Sequence, residues 1–332
     1  MAIPEDNLRR DLSPHGGPDV TVCITTCNQR DYVAQCLLSV LDQGGRRLLE
    51  VIVGDDCSDD GTSEIVALIA KQHPHLVTHI RHGSRLGPSK NTQFLMRLAK
   101  GRYVARLDGD DYWFPGKIDA QAAYLDQHAD CVAVYTNAVT VTEAGQRIGL
   151  FNDVGDATFD LAAMVRRGNF LNNSSVMIRS ELVGSWLEIA DDLIDYRAHL
   201  LHARRGVLAQ ISKPFVAYRV NTIGSMVLSR NETVRRLYWE AILSVPREAV
   251  GDWDYAWGLA NFLSRVAVRA IRTRDMGLVR EWWPRVVSES PRGSLVVGVM
   301  AMWDLFRALG FWGKHRLCKL LGGHCVPVLH HR

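Results

Sequence analysis

RYVARLDGDDYW, residues 102–113, poses the problem that decides the fold. A mostly apolar run ends in three carboxylates, Asp108, Asp110 and Asp111, set around Gly109, and two aromatics follow. Like charges this close repel and raise each other's pKa. Either solvent at a loop dilutes that cost or a cation removes it. Upstream, VIVGDDCSDDGT (51–62) repeats the pattern: an apolar run closes on Asp55, Asp56, Asp59 and Asp60. One such cluster is explained equally well as a solvated loop. Two, each at the end of a strand-like run, favour a ligand site, because open α/β sheets bind ligands at the carboxyl ends of their strands.

The intervening chain supports that architecture. VTVCITT (20–26) is β-branched and apolar, a buried strand. YVAQCLLSVLDQ (32–43) places Val33, Cys36, Leu37, Val40 and Leu41 on one helical face. LLEVIVGDD (48–56) is a strand, and TSEIVALIAKQH (62–73) a helix with Thr62 and Glu64 offering a cap. LVTHIRH is a short strand. PSKNTQFLMRLAKG is a helix with Pro88 in its first turn and Gly101 past its end. Strand and helix alternate through RYVARL, which implies a largely parallel sheet with helices on both faces. Beyond residue 131 the pattern changes. CVAVYTNAVTV reads as a strand, FLNNSSVMIRSEL as a strand leading into a helix, residues 185–205 as helix and VLAQISKPFVAYRV as a paired strand segment. From about residue 231 the chain is helical and rich in Arg and Trp.

Composition bounds the rest. The 332 residues are 47% hydrophobic and 23% charged, as in ordinary globular proteins. The net charge of +3 is too small to imply a nucleic-acid partner. From Arg265 onward, however, 12 Lys/Arg stand against 4 Asp/Glu, a local net of +8. The opening MAIPEDNLRRDLSPHGG lacks the apolar core of a secretory signal and reads as a polar leader. The stretch nearest to a membrane span, 294–312, is interrupted by Asp304 and Arg307. Seven cysteines without an export signal read as reduced thiols. His315, Cys318, His324 and Cys325 fit no familiar zinc spacing and read as a basic tail.

VCITTCNQRDYVAQCLLSVLDQ, VIVGDDCSDDGT, LGPSKN and GRYVARLDGDDYWFPGKI, in this order and spacing over residues 18–118, resemble the nucleotide-sugar-binding half of family 2 glycosyltransferases. IDYRAHLLHARRG (194–206) and KPFVAYRVNTIGS (213–225) continue the resemblance more weakly. It implies a GT-A fold, a mostly parallel Rossmann-like sheet flanked by helices, with a helical C-terminal region outside it. The implied organisation is a mobile leader (1–17), a catalytic domain (18–230, with donor binding in 18–118 and the acceptor side in 119–230) and a basic helical region (231–332).

The resemblance also implies roles. Thr25 would line the nucleotide. Asp55 and Asp56 would hydrogen-bond base and ribose, which suits the N–H groups of uracil or guanine. Lys90 and Asn91 would stand beside the donor. Asp108 and Asp110, with Gly109 between them, would form the Asp-x-Asp that binds ribose and, through Mg²⁺ or Mn²⁺, the diphosphate of a UDP, GDP or dTDP sugar. Asp195 would be the general base. Asp111, Trp113, Tyr218 and Arg219 are candidates for acceptor or diphosphate contact. Asp191 and Asp192, one helical turn earlier, are alternatives to Asp195, whose other reading is a helix-surface ion pair with Arg197. Ile194 stands where the family usually has Glu, Gly109 where it often has Ala or Thr, and Cys57 where it often has Gly. A Gln-x-x-Arg-Trp motif is absent, which favours transfer of a single sugar to a saccharide or lipid-linked acceptor, in surface-polysaccharide or other glycan assembly. The implied location is cytoplasmic, at or near the inner face of a membrane.

The competing classes are a nucleotidyltransferase and a non-catalytic scaffold of the same fold. TTCNQRDY contains no glycine, which disfavours a phosphate loop in that place. The intact Asp108 and Asp110 disfavour a scaffold. The basic C-terminal helices could cap the sheet, form a homodimer or lie on a membrane.

Overall fold

The computed structural model describes residues 17–45, 47–188, 194–220, 231–320 and 327–330, without the side chains of 231 and 311–320. The leader before residue 17, Asp191, Asp192, the 221–225 part of the Tyr-Arg segment and the side chains of His315, Cys318, His324 and Cys325 lie outside that description.

Four strands form the expected parallel half of the sheet. They are β1 (Val20–Thr26), β2 (Leu49–Asp55), β3 (Val77–Arg81) and β4 (Tyr103–Asp108), in the spatial order β3-β2-β1-β4. All seven residues of β1 are buried, as its unbroken apolar run requires of a central parallel strand. The connections are α1 (Arg30–Leu41), α2 (Thr62–Gln72) and α3 (Pro88–Leu98). α1 buries Val33, Cys36, Leu37 and Val40, the three-and-four spacing of a helix packed by one face. The start of α2 differs from the expectation. Gly61, at φ 100°, is the N-cap, and Thr62 is the first helical residue. The Thr62 hydroxyl instead donates to Asp60 at 2.6 Å and accepts from the Gln29 N–H at 2.8 Å, tying α2 to the end of β1.

The second half of the sheet is mixed. After β5 (Tyr112–Trp113) and α4 (Lys117–Gln127) come β6 (Cys131–Val141), β7 (Arg147–Asn152), β8 (Ala157–Phe159), α5 (Leu161–Arg167), β9 (Met177–Arg179), α6 (Val183–Leu187), α7 (Asp195–Ala203) and β10 (Val207–Arg219). β9 runs antiparallel to both β4 and β6, joining the halves. β7 and β8 went unread in the sequence. The strand expected over FLNNSSVMIRSEL is only three residues long, preceded by a 3-10 turn at Asn173–Ser175. Local polar side chains explain this: the Ser175 hydroxyl donates to the Asn172 carbonyl at 2.6 Å and accepts from the Thr136 N–H at 3.1 Å. The helix expected over 185–205 is two separate helices, α6 and α7. β10 runs beside β6 with register shifts on either side of Pro214, which has no N–H for the ladder.

The C-terminal region comprises α8 (Asn231–Leu243), α9 (Asp252–Thr273), α10 (Gly277–Glu289), α11 (Gly293–Leu320) and β11 (Val328–His330). It is joined to the sheet. β11 pairs in parallel with β7, and Trp239, Leu259, Phe262 and Trp282 share one apolar cluster with Met164, Val165, Tyr196 and Leu200. Gly258 allows the closest approach. A Cβ there would lie 2.8 Å from the Val165 carbonyl oxygen, so α9 and α5 touch nearly backbone to backbone.

Candidate active site

The carboxyl ends of β1, β2 and β4 converge by register. Thr25 pairs across the ladder with Asp108, and Thr26 with Asp55. The Thr25 hydroxyl donates to Asp108 Oδ1 at 3.1 Å, and the Gly109 N–H donates to the Thr25 carbonyl at 2.9 Å. Gly109 is needed for space. A Cβ would meet Gln29 Oε1 at 2.5 Å and Thr26 Cβ at 2.8 Å.

Arg106 organises what surrounds Asp108. It lies two residues earlier on β4, hence on the same face, and is 6% exposed. One guanidinium nitrogen donates to Asp108 Oδ1 at 2.9 Å, and another lies 3.6 Å from Asp195 Oδ1. Its plane faces the Trp186 ring at 5.7 Å. Asn173 Nδ2 donates to the same Asp195 oxygen at 2.6 Å. Asp195, in the first turn of α7, is thus fixed from two sides while its side chain stays 45% exposed. The Arg197 partner considered from sequence is not the one found, since Arg197 Nε is buried without a hydrogen-bond partner among the described residues.

Other expected residues take different stations. Asp55 is fully buried, its Oδ1 accepting from the Ser58 N–H at 3.0 Å and the Ser58 hydroxyl at 2.5 Å. Burial alone would raise its pKa. His79, Ser58 and Ser63 outweigh burial and hold it down to about 2. In this arrangement the Asp55 carboxylate shapes the turn after β2. Asp56 accepts from the N–H groups of Leu86 and Gly87 at 2.6 and 2.9 Å, clamping the loop before α3. Asn91 turns inward, donating to the Gly54 carbonyl at 2.8 Å and meeting His82 Nε2 at 3.0 Å. It ties α3 to β2. Lys90, its neighbour on the helix, points outward into a cleft of about 500 Å³ lined by Leu86, Gly87, Lys90, Arg236 and Glu240. The far wall of that cleft is α8, which no sequence pattern had tied to the site.

The 111–113 segment is also interior. Asp111 accepts from the Ser174 hydroxyl at 2.5 Å and the Arg219 N–H at 2.8 Å. Burial, then the charges of Asp110 and Asp108, push its carboxyl well above the usual range. Trp113 is 3% exposed, donates to the Ser174 carbonyl at 2.8 Å and carries Lys117 Nζ 3.9 Å over its ring. Both side chains are packed inside the fold in this arrangement. Arg219 is committed to the Asp110 carbonyl and Gln35 Oε1, with Tyr32 and Tyr112 rings at 4.7 and 5.2 Å. It holds the Asp110 turn and has little surface left for a diphosphate. Tyr218 packs edge-on against Phe151 at 5.2 Å, and its hydroxyl is pushed up by burial and by Asp111 and Asp110.

Asp108, Asp110 and Asp111 concentrate carboxylates at this one turn. The oxygen-only donors there suit a hard divalent cation. Among the described residues, no three His, Cys, Asp or Glu side chains converge to hold a metal. Such a cation would need further oxygens from a bound ligand, a sharing common for Mg²⁺ beside phosphates.

A parallel sheet with carboxylates at its strand ends, a Thr-Asp pair across the ladder and a further Asp on a following helix defines a GT-A type α/β fold. The solved structure of Staphylococcus aureus TarS residues 1–349 with UDP-GlcNAc shares it, at TM-score 0.53 and 18% identity over 80% of this chain and 92% of that one. Residues 21–163 match the model of glycosyl transferase family 2. TuaG of Bacillus subtilis, named a putative teichuronic acid biosynthesis glycosyltransferase, is 28% identical over 68% of this chain and 84% of its own. Rv1520 of Mycobacterium tuberculosis is 30% identical over 64% of this chain, and the match spans 61% of that protein's length.

Proposed function

We propose that this chain is an inverting glycosyltransferase. It moves one sugar from a UDP, GDP or dTDP sugar to a hydroxyl of a saccharide or lipid-linked acceptor, in the assembly of a surface polysaccharide or related glycan. The observation that carries this reading is the Asp108–Arg106–Asp195 chain, which sets a half-exposed carboxylate beside the Asp-x-Asp turn. TuaG's name and the UDP-GlcNAc in the TarS structure support a nucleotide-sugar donor and a glycan product.

The chemistry follows from those positions. An acceptor hydroxyl is a weak nucleophile, and Asp195, oriented by Asn173 and Arg106, takes its proton as it attacks the anomeric carbon. Attack opposite the nucleotide inverts that centre through an oxocarbenium-like transition state. The proton ends on Asp195, and the nucleoside diphosphate leaves with the bonding electrons. Asp108, engaged by Thr25 and Arg106, would meet the ribose, and Asp110 would be the principal metal ligand. Mg²⁺ or Mn²⁺ held by Asp110 and the diphosphate oxygens would supply Lewis-acid stabilisation of the leaving group. Lys90 and Arg236, exposed in the cleft, are cations available to the donor. Such a donor places the reaction in the cytoplasm.

Melting temperature with UDP, GDP, dTDP or CMP, each with and without Mn²⁺, tests the reading. A ligand bound only to the folded chain raises it, by about 2.7 kcal/mol of stability at a hundred times Kd. One diphosphate should stabilise the wild type with Mn²⁺ and lose that effect in Asp110→Ala. No shift with any of them at millimolar concentration would remove the reading's main support.

A further inference from the structure

α11 presents two unlike faces. Val297, Met300 and Ala301 are buried in the helical core. Asp304, the only acid in the helix, turns the same way and accepts from the Ser264 hydroxyl at 2.5 Å. On the other side Leu295, Val299, Met302, Trp303, Phe306 and Leu309 are each between 43% and 79% exposed. At 3.6 residues per turn these six fall within roughly 120° of arc, with Asp304 nearly opposite. Trp283 of α10 extends the face, its ring about 3.0 Å from where a Cβ on Gly298 would stand. Isolated exposed apolar side chains are ordinary, whereas a continuous stripe of large ones marks an interaction surface.

Charge identifies the occupant. The segment from Arg265 onward carries 12 Lys/Arg and 4 Asp/Glu. Arg307 is exposed beside Phe306, and the helix's one carboxylate is turned away. A second copy on this face would bring two such basic segments together, which like-charge repulsion opposes. An anionic lipid surface attracts them, and its interfacial region accepts Trp, Phe and Leu. Gly293–Gly310 has a mean hydropathy of 1.3 and the length to cross a bilayer. Its inner face, however, is bound to the fold through Asp304, Val297 and Met300, which opposes its passing through one.

We propose that α11 docks the protein on an anionic membrane surface, with the Leu295–Leu309 face sunk at the headgroup boundary and Arg307 at its edge facing lipid phosphates. This goes beyond the sugar-transfer reading and is measured separately from it. The full chain should co-sediment with phosphatidylcholine vesicles containing phosphatidylglycerol, bind pure phosphatidylcholine vesicles far less, and weaken as salt rises. Trp303→Ser combined with Phe306→Ser should lower binding about ten-fold or more. Both sites are exposed, so melting temperature and the nucleotide-induced shift should stay unchanged. Arg307→Glu should weaken binding to the anionic vesicles alone. Equal binding to both vesicle types, no loss in the double variant, or a stable dimer in light scattering that the double variant dissolves would each overturn the proposal. The last outcome would make the face a self-interface. A missing nucleotide shift with vesicle binding intact would count against sugar transfer and leave the membrane face standing.

Discussion

At the scale of single residues, Arg106 is the feature that sequence reading passed over. It sits inside RYVARL, which reads as an apolar strand, yet its guanidinium joins Asp108 to Asp195. A signal was present, since a charged residue two positions before an Asp cluster shares its face of the strand. What it bridges to is 89 residues away, and spacing cannot supply that partner. Asp195→Asn should lower turnover by about 10²–10⁴-fold with donor binding retained. Arg106→Leu should lower turnover by about 10²-fold and also lower the melting temperature, because it leaves the Asp108 and Asp195 carboxylates without their shared buried cation. The double variant should lose less than the product of the two single losses, since both act in part through the Asp195 carboxylate. Additive losses in steady-state kinetics would mean that Arg106 acts elsewhere.

At the scale of elements, contacts between distant segments set the site's walls. The Asn173–Ser175 turn holds Asp195, Asp108 and Asp111 at once, because Asn173 donates to Asp195 and the Ser174 hydroxyl reaches both other carboxylates. Its NNSS sequence reads as the start of a strand until its long-range partners are known. α8 closes the Lys90 cleft and is itself carried on the packing of α9 against α5. Gly258→Val would place a side chain where Val165 lies 2.8 Å away, forcing the two helices apart. Overpacking of this kind costs about 1–3 kcal/mol. Urea unfolding should show that loss, with weaker nucleotide affinity as the cleft wall shifts. Unchanged stability would mean that the helices separate freely.

At the scale of the whole molecule, the layer beneath the site is built around two neutral histidines. His199 and His202 on α7 are fully buried, and both nitrogens of His199 lack hydrogen-bond partners among the described residues. Burial lowers each to about 3, helped by Arg106 for His199 and by His199 for His202. In the unfolded chain they titrate near 6.5. The unfolded state therefore binds more protons between these values, and stability falls as pH drops below about 6.5. The loss approaches about 1.4 kcal/mol per pH unit for each, so the pair should cost about 4 kcal/mol between pH 7 and pH 5. Urea unfolding at both values, on wild type and on His199→Gln with His202→Gln, checks this. An equal slope in the two proteins would assign the loss to other groups. By itself the sequence determined the parallel half of the sheet and its carboxylate-bearing strand ends, because hydrophobic periodicity and Gly, Pro and Asp placement are local. Only the tertiary structure decided which carboxylates keep a surface. Asp108 and Asp195 do, whereas Asp55 and Asp111 are consumed inside the fold. It also decided that the C-terminal helices and β11 complete the sheet domain, and that one face of α11 is left uncovered. Burial and long-range partners depend on what packs against a residue, and that is a property of the folded chain.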